Sequence, residues 1–253
     1  MVEVSSIFTC LNAAEDYMIS TYETPRSSIP IITNGNKIRT WIFDPPYNIG
    51  YDYGGIIDDR SDSYEDEISI MCKNMMKCST QDANLFLIIY PEIAARLLPR
   101  IEHAGWSLKQ WITWVYPSNI GMSGKKCTTA SRAVLWLIRG NPPTYMKSVQ
   151  QPYKNPNDKR IKELIARGSQ GVNFYDWWNI NLRKNVSKGF KGYYNQLPTE
   201  LVKRIILLTT LEGEWVGDIT AGAGTTWEVA KEINRHCWLN DLNPDCREIW
   251  GAI

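Results

Sequence analysis

Apolar and polar positions along the chain fall into two rhythms. Short apolar runs bounded by Gly, Pro, Asn or Asp recur at 38–43, 84–90, 107–116, 133–138, 215–219 and 237–241, and these predict strands. Between several of them apolar residues return at helical spacing, which predicts helices near 64–77, 91–103, 198–210 and 225–234. A further short helix is expected near 9–20, followed by a Pro/Ser/Asn-rich connection up to residue 36. Residues 48–63, rich in Gly, Asp and Tyr, read as a mobile loop, 117–130 as a polar loop and 141–195 as an irregular, basic stretch. Strands alternating with helices in this order predict an α/β fold built on a doubly wound sheet. No internal repeat or low-complexity tract interrupts it.

Two of the strand ends carry chemistry. The first strand runs into Asp44-Pro45-Pro46-Tyr47. Consecutive prolines neither donate to a sheet ladder nor continue a helix, so the strand must stop at Asp44. The loop that follows is stiff and rich in acceptors, with a carboxylate on one side and an aromatic ring on the other. A flat substrate bearing an amino group, such as a nucleobase, suits it. The same tetrapeptide also serves as an ordinary tight loop, Asp capping amides and Tyr covering the core. A second motif decides between the two. Residues 215–226 run from a short strand through Asp218, Thr220, Gly222 and Gly224 to Thr225-Thr226, where a helical pattern begins. Glycines there let backbone approach a ligand closely, and Thr225 or Thr226 is placed to cap a helix whose free amides favour a carboxylate. The next strand ends in Asp241, 17 residues beyond Gly224, near the spacing at which a βαβ unit offers an acid to ribose hydroxyls.

Together these motifs resemble the S-adenosylmethionine-dependent amino-methyltransferases of DNA, which modify adenine N6 or cytosine N4. The family's catalytic Asp/Asn/Ser-Pro-Pro-Tyr is matched by Asp44, Pro45, Pro46 and Tyr47, and Asn48 follows as in many members. Its cofactor signature, Asp-Pro-Phe-x-Gly-x-Gly-Thr-Thr, is matched in part by Asp218 to Thr226. Asn195-Gln196-Leu197-Pro198 is similar to the segment that opens the helix before the cofactor strand, and residues 133–140 look like a later strand of the family. The catalytic motif precedes the cofactor motif, the circularly permuted order of the beta group. The resemblance spans roughly 38–250 and implies a Rossmann-like methyltransferase sheet, the whole of 1–253 forming one domain. It assigns Asp218, Thr220, Gly222, Gly224, Thr225, Thr226, Asp241, Gln196 and Pro198 to S-adenosylmethionine. It implies direct methyl transfer to a base rotated out of the duplex, Tyr47 stacking on it while Asp44 and the Pro45 carbonyl accept from its amine. The leading Asp points to adenine N6; cytosine N4 stays open, as does a weak or inactive relative that binds nucleic acid without catalysis. Two departures bear on this: Ile219-Thr220 replaces the signature's Pro-Phe, with Trp215, Trp227 or Trp238 available to make up the lost aromatic contact, and Asn240 precedes the acid.

Composition narrows the setting. The chain has 253 residues, 43% of them hydrophobic, enough for a sizeable core. It holds no stretch of 18 apolar residues and no charged leader before an apolar run, so neither a membrane span nor secretion is expected. Six cysteines without a Cys-x-x-Cys pair, and only His103 and His236, leave zinc sites and histidine triads without ligands, and no metal is expected. Reduced thiols in a cytoplasmic protein are the simplest account. The acids of the 48–63 loop (Asp52, Asp58, Asp59 and Asp62) are expected to be solvated. Net charge is +1, but it is unevenly spread: residues 139–204 hold 13 Lys/Arg against 4 Asp/Glu. Lys154, Arg160, Arg183, Lys184, Lys188 and Lys191 are interleaved there with aromatic residues, a pattern that neutralises phosphates and stacks on bases. The stretch 139–195 is the expected target-recognition segment, and double-stranded DNA the expected partner. The resemblance also admits a homodimer and a cognate restriction endonuclease.

Overall fold

The computed structural model describes residues 18–21, 37–51, 59–117, 124–125, 127–183, 196–241, 243 and 245–251. The chain runs β1 (Met18–Thr21), β2 (Ile38–Phe43), α1 (Tyr64–Lys77), β3 (Ser79–Ile89), α2 (Pro91–His103), β4 (Ser107–Val115), β5 (Ser131–Arg139) and a 3-10 turn (Met146–Val149). It continues through α3 (Lys159–Ala166), β6 (Trp177–Asn179), α4 (Thr199–Thr209), β7 (Trp215–Asp218), α5 (Thr225–Glu232), β8 (His236–Asn240) and α6 (Cys246–Gly251). The strands form one eight-stranded sheet in the order β1-β8-β7-β2-β3-β5-β4-β6. Among the described residues no helix is long and apolar enough to cross a membrane.

The central strands are apolar on both sides because both faces of the sheet are covered, as the α/β class requires. Ile42, Phe86, Val134, Val216 and Leu239 face one core together with Leu201, Ile205, Val229 and Ala230 of α4 and α5. Their sequence neighbours Trp41, Leu85, Leu135 and Trp238 face the other, against Ile68, Cys72, Ile93 and Leu97 of α1 and α2. Gly217 lets the Trp41 ring lie flat on β7: a Cβ there would stand 2.4 Å from ring carbons.

Chain direction creates the feature that matters. From β2 the crossover through α1 leads to β3 on one side, with β2 and β3 parallel. From β7 the crossover through α5 leads to β8 on the other side, again in parallel. β2 and β7 are themselves parallel neighbours, with Ile42 opposite Asp218. Two parallel neighbours whose connections diverge leave a crevice outside their carboxyl ends.

Several boundaries differ from the periodicity reading. β3 begins at Ser79 rather than 84, because Ser79 receives the Trp41 indole N–H at 2.9 Å and passes its own hydroxyl to the Met75 carbonyl at 2.7 Å. Tertiary bonds thus extend a strand through residues with no apolar alternation. Met18–Thr21 is a strand parallel to β8, where a helix near 9–20 was expected; residues 9–17 lie outside the described residues. The irregular stretch 141–195 contains α3, capped by the Asp158 carboxylate accepting from the Arg160 amide at 2.9 Å, and the edge strand β6, pinned by buried Trp178.

Candidate active site at the switch point of the sheet

Asp44 is the first residue beyond β2, and Thr220 lies two residues beyond β7. The Asp44 amide donates to the Thr220 hydroxyl at 3.2 Å. Two segments 176 residues apart in the chain therefore meet at the crevice. Beyond Asp44 the prolines behave as their chemistry dictates, with one qualification. The Pro46 carbonyl is occupied, accepting from the Tyr64 hydroxyl of α1 at 2.7 Å. The Pro45 carbonyl has no donor among the described residues.

Tyr47 folds back on Asp44 and donates its hydroxyl to Oδ1 at 2.5 Å. Its ring meets Tyr90 edge-on at 5.0 Å. The Arg132 guanidinium lies 3.8 Å from the Tyr90 ring centre, 5.0 Å from that of Tyr47 and 5.1 Å from that of Tyr116. Burial pushes the Asp44 carboxyl up to about 6, against the opposing pull of the Tyr47 hydroxyl and the Arg132 charge. Burial, and then the neighbouring Asp44 charge, hold the Tyr47 phenol well above its ordinary range, so it stays a donor.

The turn after Tyr47 is clamped by an acid expected to be solvated. Asp59 is instead buried, and its carboxylate accepts from the amides of Asn48 (2.7 Å), Ile49 (3.1 Å) and Tyr51 (3.0 Å). Asn48 takes a left-handed φ of 58°, which Asn tolerates better than most residues, and accepts from the Ser61 amide at 2.8 Å. Asp62 is exposed, whereas Asp52 and Asp58 lie outside the described residues.

On the other wall, Asp218 is buried and both its oxygens are used within the turn. Oδ1 accepts from the Thr220 amide at 3.1 Å and Oδ2 from the Thr226 hydroxyl at 2.5 Å. Burial pushes this carboxyl up to about 7 despite those bonds. Asp218 thus builds the turn. The helix cap is Gly224, at φ 77°; neither Thr225 nor Thr226 caps α5 through its side chain. Asp241, at the end of β8, reaches back to accept from the Gly222 amide at 2.7 Å through Oδ2, while its Oδ1 accepts from the Asn243 amide at 2.9 Å, so glycine turn and acid face one another. Asn240 is a tie between strand ends, its amide donating to the Ile219 carbonyl at 2.9 Å. Trp215 stacks on His236 at the far end of β7, Trp238 is sealed in the core against Trp41, and Trp227 is buried on α5. The indole that reaches the turn is Trp250, which donates to the Gly222 carbonyl at 2.9 Å. Gln196 is half-buried, and Pro198 is the capping residue of α4.

The basic residues separate. Lys154 is exposed and Arg160 projects from α3 with 89% of its side chain in solvent. Arg183 is half-buried and pairs with Glu228 of α5 at 3.2 Å. Lys184, Lys188 and Lys191 lie outside the described residues. Arg132, Tyr90, Tyr64 and Trp250 have no signal in the sequence, whereas Asp59 is read there only as a solvated loop acid. None of the four stands in a motif, and each reaches the crevice only because a distant element is folded against it.

Residues 38–250 match the family model N6_N4_Mtase, described as DNA methylase. The type II methyltransferase M.HpaI of Haemophilus parainfluenzae is 25% identical over 223 residues, covering 85% of this chain and 67% of that protein. M.HindIII of Haemophilus influenzae is 25% identical over 201 residues, covering 70% of this chain and 64% of that protein. The chain thus spans about two thirds of the length of these curated relatives. Among solved structures, the cytosine-N4-specific PvuII DNA methyltransferase superposes with a TM-score of 0.65 at 17% identity, covering 85% of this chain and 79% of that one. The M1.HpyAVI complex with S-adenosylmethionine does so at 0.57 and 15%, covering 86% and 89%.

Proposed function

Because this chain belongs to the N6/N4 family of DNA methylases, we propose that it methylates the N6 amine of adenine in double-stranded DNA, with S-adenosylmethionine as methyl donor. The observation that carries the reading is the meeting of Asp44 with the glycine turn through the Thr220 hydroxyl at the switch point. It puts an amine acceptor beside the place where a parallel sheet holds a nucleotide-like ligand.

The residues present fit such a cofactor. Gly222 and Gly224 have positive φ and no side chain, and the Asp241 carboxylate stands at the neighbouring strand end where ribose hydroxyls are received. When bound, S-adenosylmethionine supplies an electrophilic sulfonium methyl group; the protein's own task is then placement. The target base leaves the stack to enter the crevice. Tyr47 supplies an aromatic face, and Asp44 with the Pro45 carbonyl accepts the two amine hydrogens. Asp44 Oδ2 has no protein partner among the described residues, so the amine finds it open, while the Tyr47 hydroxyl holds Oδ1. Hydrogen bonds from the amine to these acceptors orient the nitrogen lone pair and stabilise the positive charge growing on nitrogen. Methyl transfer from the bound cofactor would leave the held nitrogen with a surplus proton, which the Asp44 carboxylate or solvent would take up.

Adenine is preferred because the motif begins with Asp. The segment 139–195 is assigned to DNA contact, through exposed Lys154 and Arg160 first. A homodimer and a cognate endonuclease belong to the same reading, as does a place in the cytoplasm beside the DNA. The test is incubation with unmethylated DNA and labelled cofactor, followed by nucleoside mass spectrometry. N6-methyladenine is expected. N4-methylcytosine would overturn the choice of base, and no labelled nucleoside would overturn the activity. Calorimetry with the cofactor then identifies a non-catalytic relative by the absence of binding.

A further inference from the structure

We propose that Thr220 is a positioning residue, whose hydroxyl fixes the backbone of Asp44 and so ties the catalytic loop to the state of the glycine turn. The proposal rests on the reading of Asp44 as the amine acceptor. Pro45 and Pro46 have no N–H, so between Phe43 and Tyr47 the loop has a single backbone donor, the Asp44 amide. A backbone donor at a strand end, half-buried here, is stabilised by a partner. The ladder of β2 with β7 supplies none beyond the pair Ile42–Asp218, because the chain leaves the sheet at Ile219. The Thr220 hydroxyl takes the place of the missing ladder carbonyl, accepting from the Asp44 amide at 3.2 Å.

A side-chain acceptor differs from a ladder carbonyl in being set by its own surroundings. The Thr220 amide donates to Asp218 Oδ1, and Asp218 Oδ2 accepts from Thr226 in the first turn of α5. One chain of bonds therefore runs from the start of α5 through Asp218 and Thr220 to Asp44. The far side of the loop is held separately, by the Tyr64 hydroxyl on the Pro46 carbonyl. Loss of the Thr220 hydroxyl frees the Asp44 end alone. Position 220 is also one where the chain departs from the family signature, and the bond to Asp44 gives this Thr a role of its own.

The experiment compares Thr220→Val, which keeps the shape and removes the hydroxyl, with Thr220→Ser, which keeps the hydroxyl. Three quantities are read on the full chain: exchange of the Asp44 amide hydrogen, cofactor Kd by calorimetry, and kcat on DNA. In Thr220→Val the Asp44 amide is expected to exchange about tenfold faster and kcat to fall about tenfold. Thr220→Ser is expected to restore both. Unchanged amide exchange in Thr220→Val, or lost protection in Thr220→Ser, would overturn the proposal. So would a rise in cofactor Kd with kcat held, which would make Thr220 a cofactor contact. Should Thr220→Val fail to fold, Thr220→Ala takes its place. If the wild-type protein methylates no DNA, the exchange measurements still decide the Asp44–Thr220 bond, so the two readings fail separately.

Discussion

Asp44 illustrates how one residue's chemistry is set by groups scattered through the chain. Burial raises its carboxyl to about 6, while the Tyr47 hydroxyl and the Arg132 guanidinium pull the other way. Its role as an acceptor requires the ionised form, so the methylation rate should fall on an acid limb near pH 6. Arg132→Gln removes a charge that favours the carboxylate, and the limb should move to higher pH. A pH–rate profile that moves down or stays put in that variant would contradict the assignment. Asp44→Ala is expected to abolish turnover while calorimetric cofactor affinity is retained. Unchanged turnover would remove Asp44 from the chemistry. Arg132 had no signal in the sequence: it stands on a strand antiparallel to β3, and only that pairing brings it to the carboxyl end of β2 and over Tyr47.

At the scale of elements, the contact between β2 and β7 carries the site. At this contact the Trp41 ring lies over Gly217, where there is no Cβ to displace it. Gly217→Ala would insert a methyl group 2.4 Å from ring carbons and force the strands apart or the indole off its rotamer. Overpacking of this kind costs about 1–3 kcal/mol. Urea denaturation should show that loss, together with weakened Asp44 amide protection; a loss below about 0.5 kcal/mol would mean that Trp41 has room to move. The elements flanking this contact were the legible ones. Strand 38–43 and helices 64–77 and 91–103 stand where apolar periodicity predicts them, because each is apolar on the side or sides it buries. α3 escaped detection because none of its residues is buried and its apolar Leu164 and Ile165 face solvent.

Over the whole molecule, charge is segregated. The stretch 139–204 holds 13 Lys/Arg against 4 Asp/Glu, although the chain's net charge is only +1. If the exposed basic face of α3 meets phosphates, DNA affinity falls steeply with salt. Arg160→Ala and Lys162→Ala should then each reduce the slope of log K against log salt by roughly 0.9. Arg183→Ala should change it less, since that guanidinium is half-buried and paired with Glu228 at 3.2 Å, whereas Arg160 is 89% exposed and its pair with Asp158, at 3.5 Å, is longer. Fluorescence anisotropy titrations across a salt series measure both, and equal slopes for Arg160→Ala and wild type would take α3 out of the interface.

Sequence alone determined the α/β class, most element positions and the two motifs, because hydrophobic period and Pro or Gly chemistry act over a few residues. Asp44, Gly222, Gly224 and Asp241 were all legible in that way. Tertiary structure alone decided which strand lies beside which, and with it the Asp44–Thr220 bond, the burial of Asp59 under three amides and the stack of Arg132 on Tyr90. Such contacts join residues far apart in the chain, and no local pattern encodes a partner that only sheet order brings near.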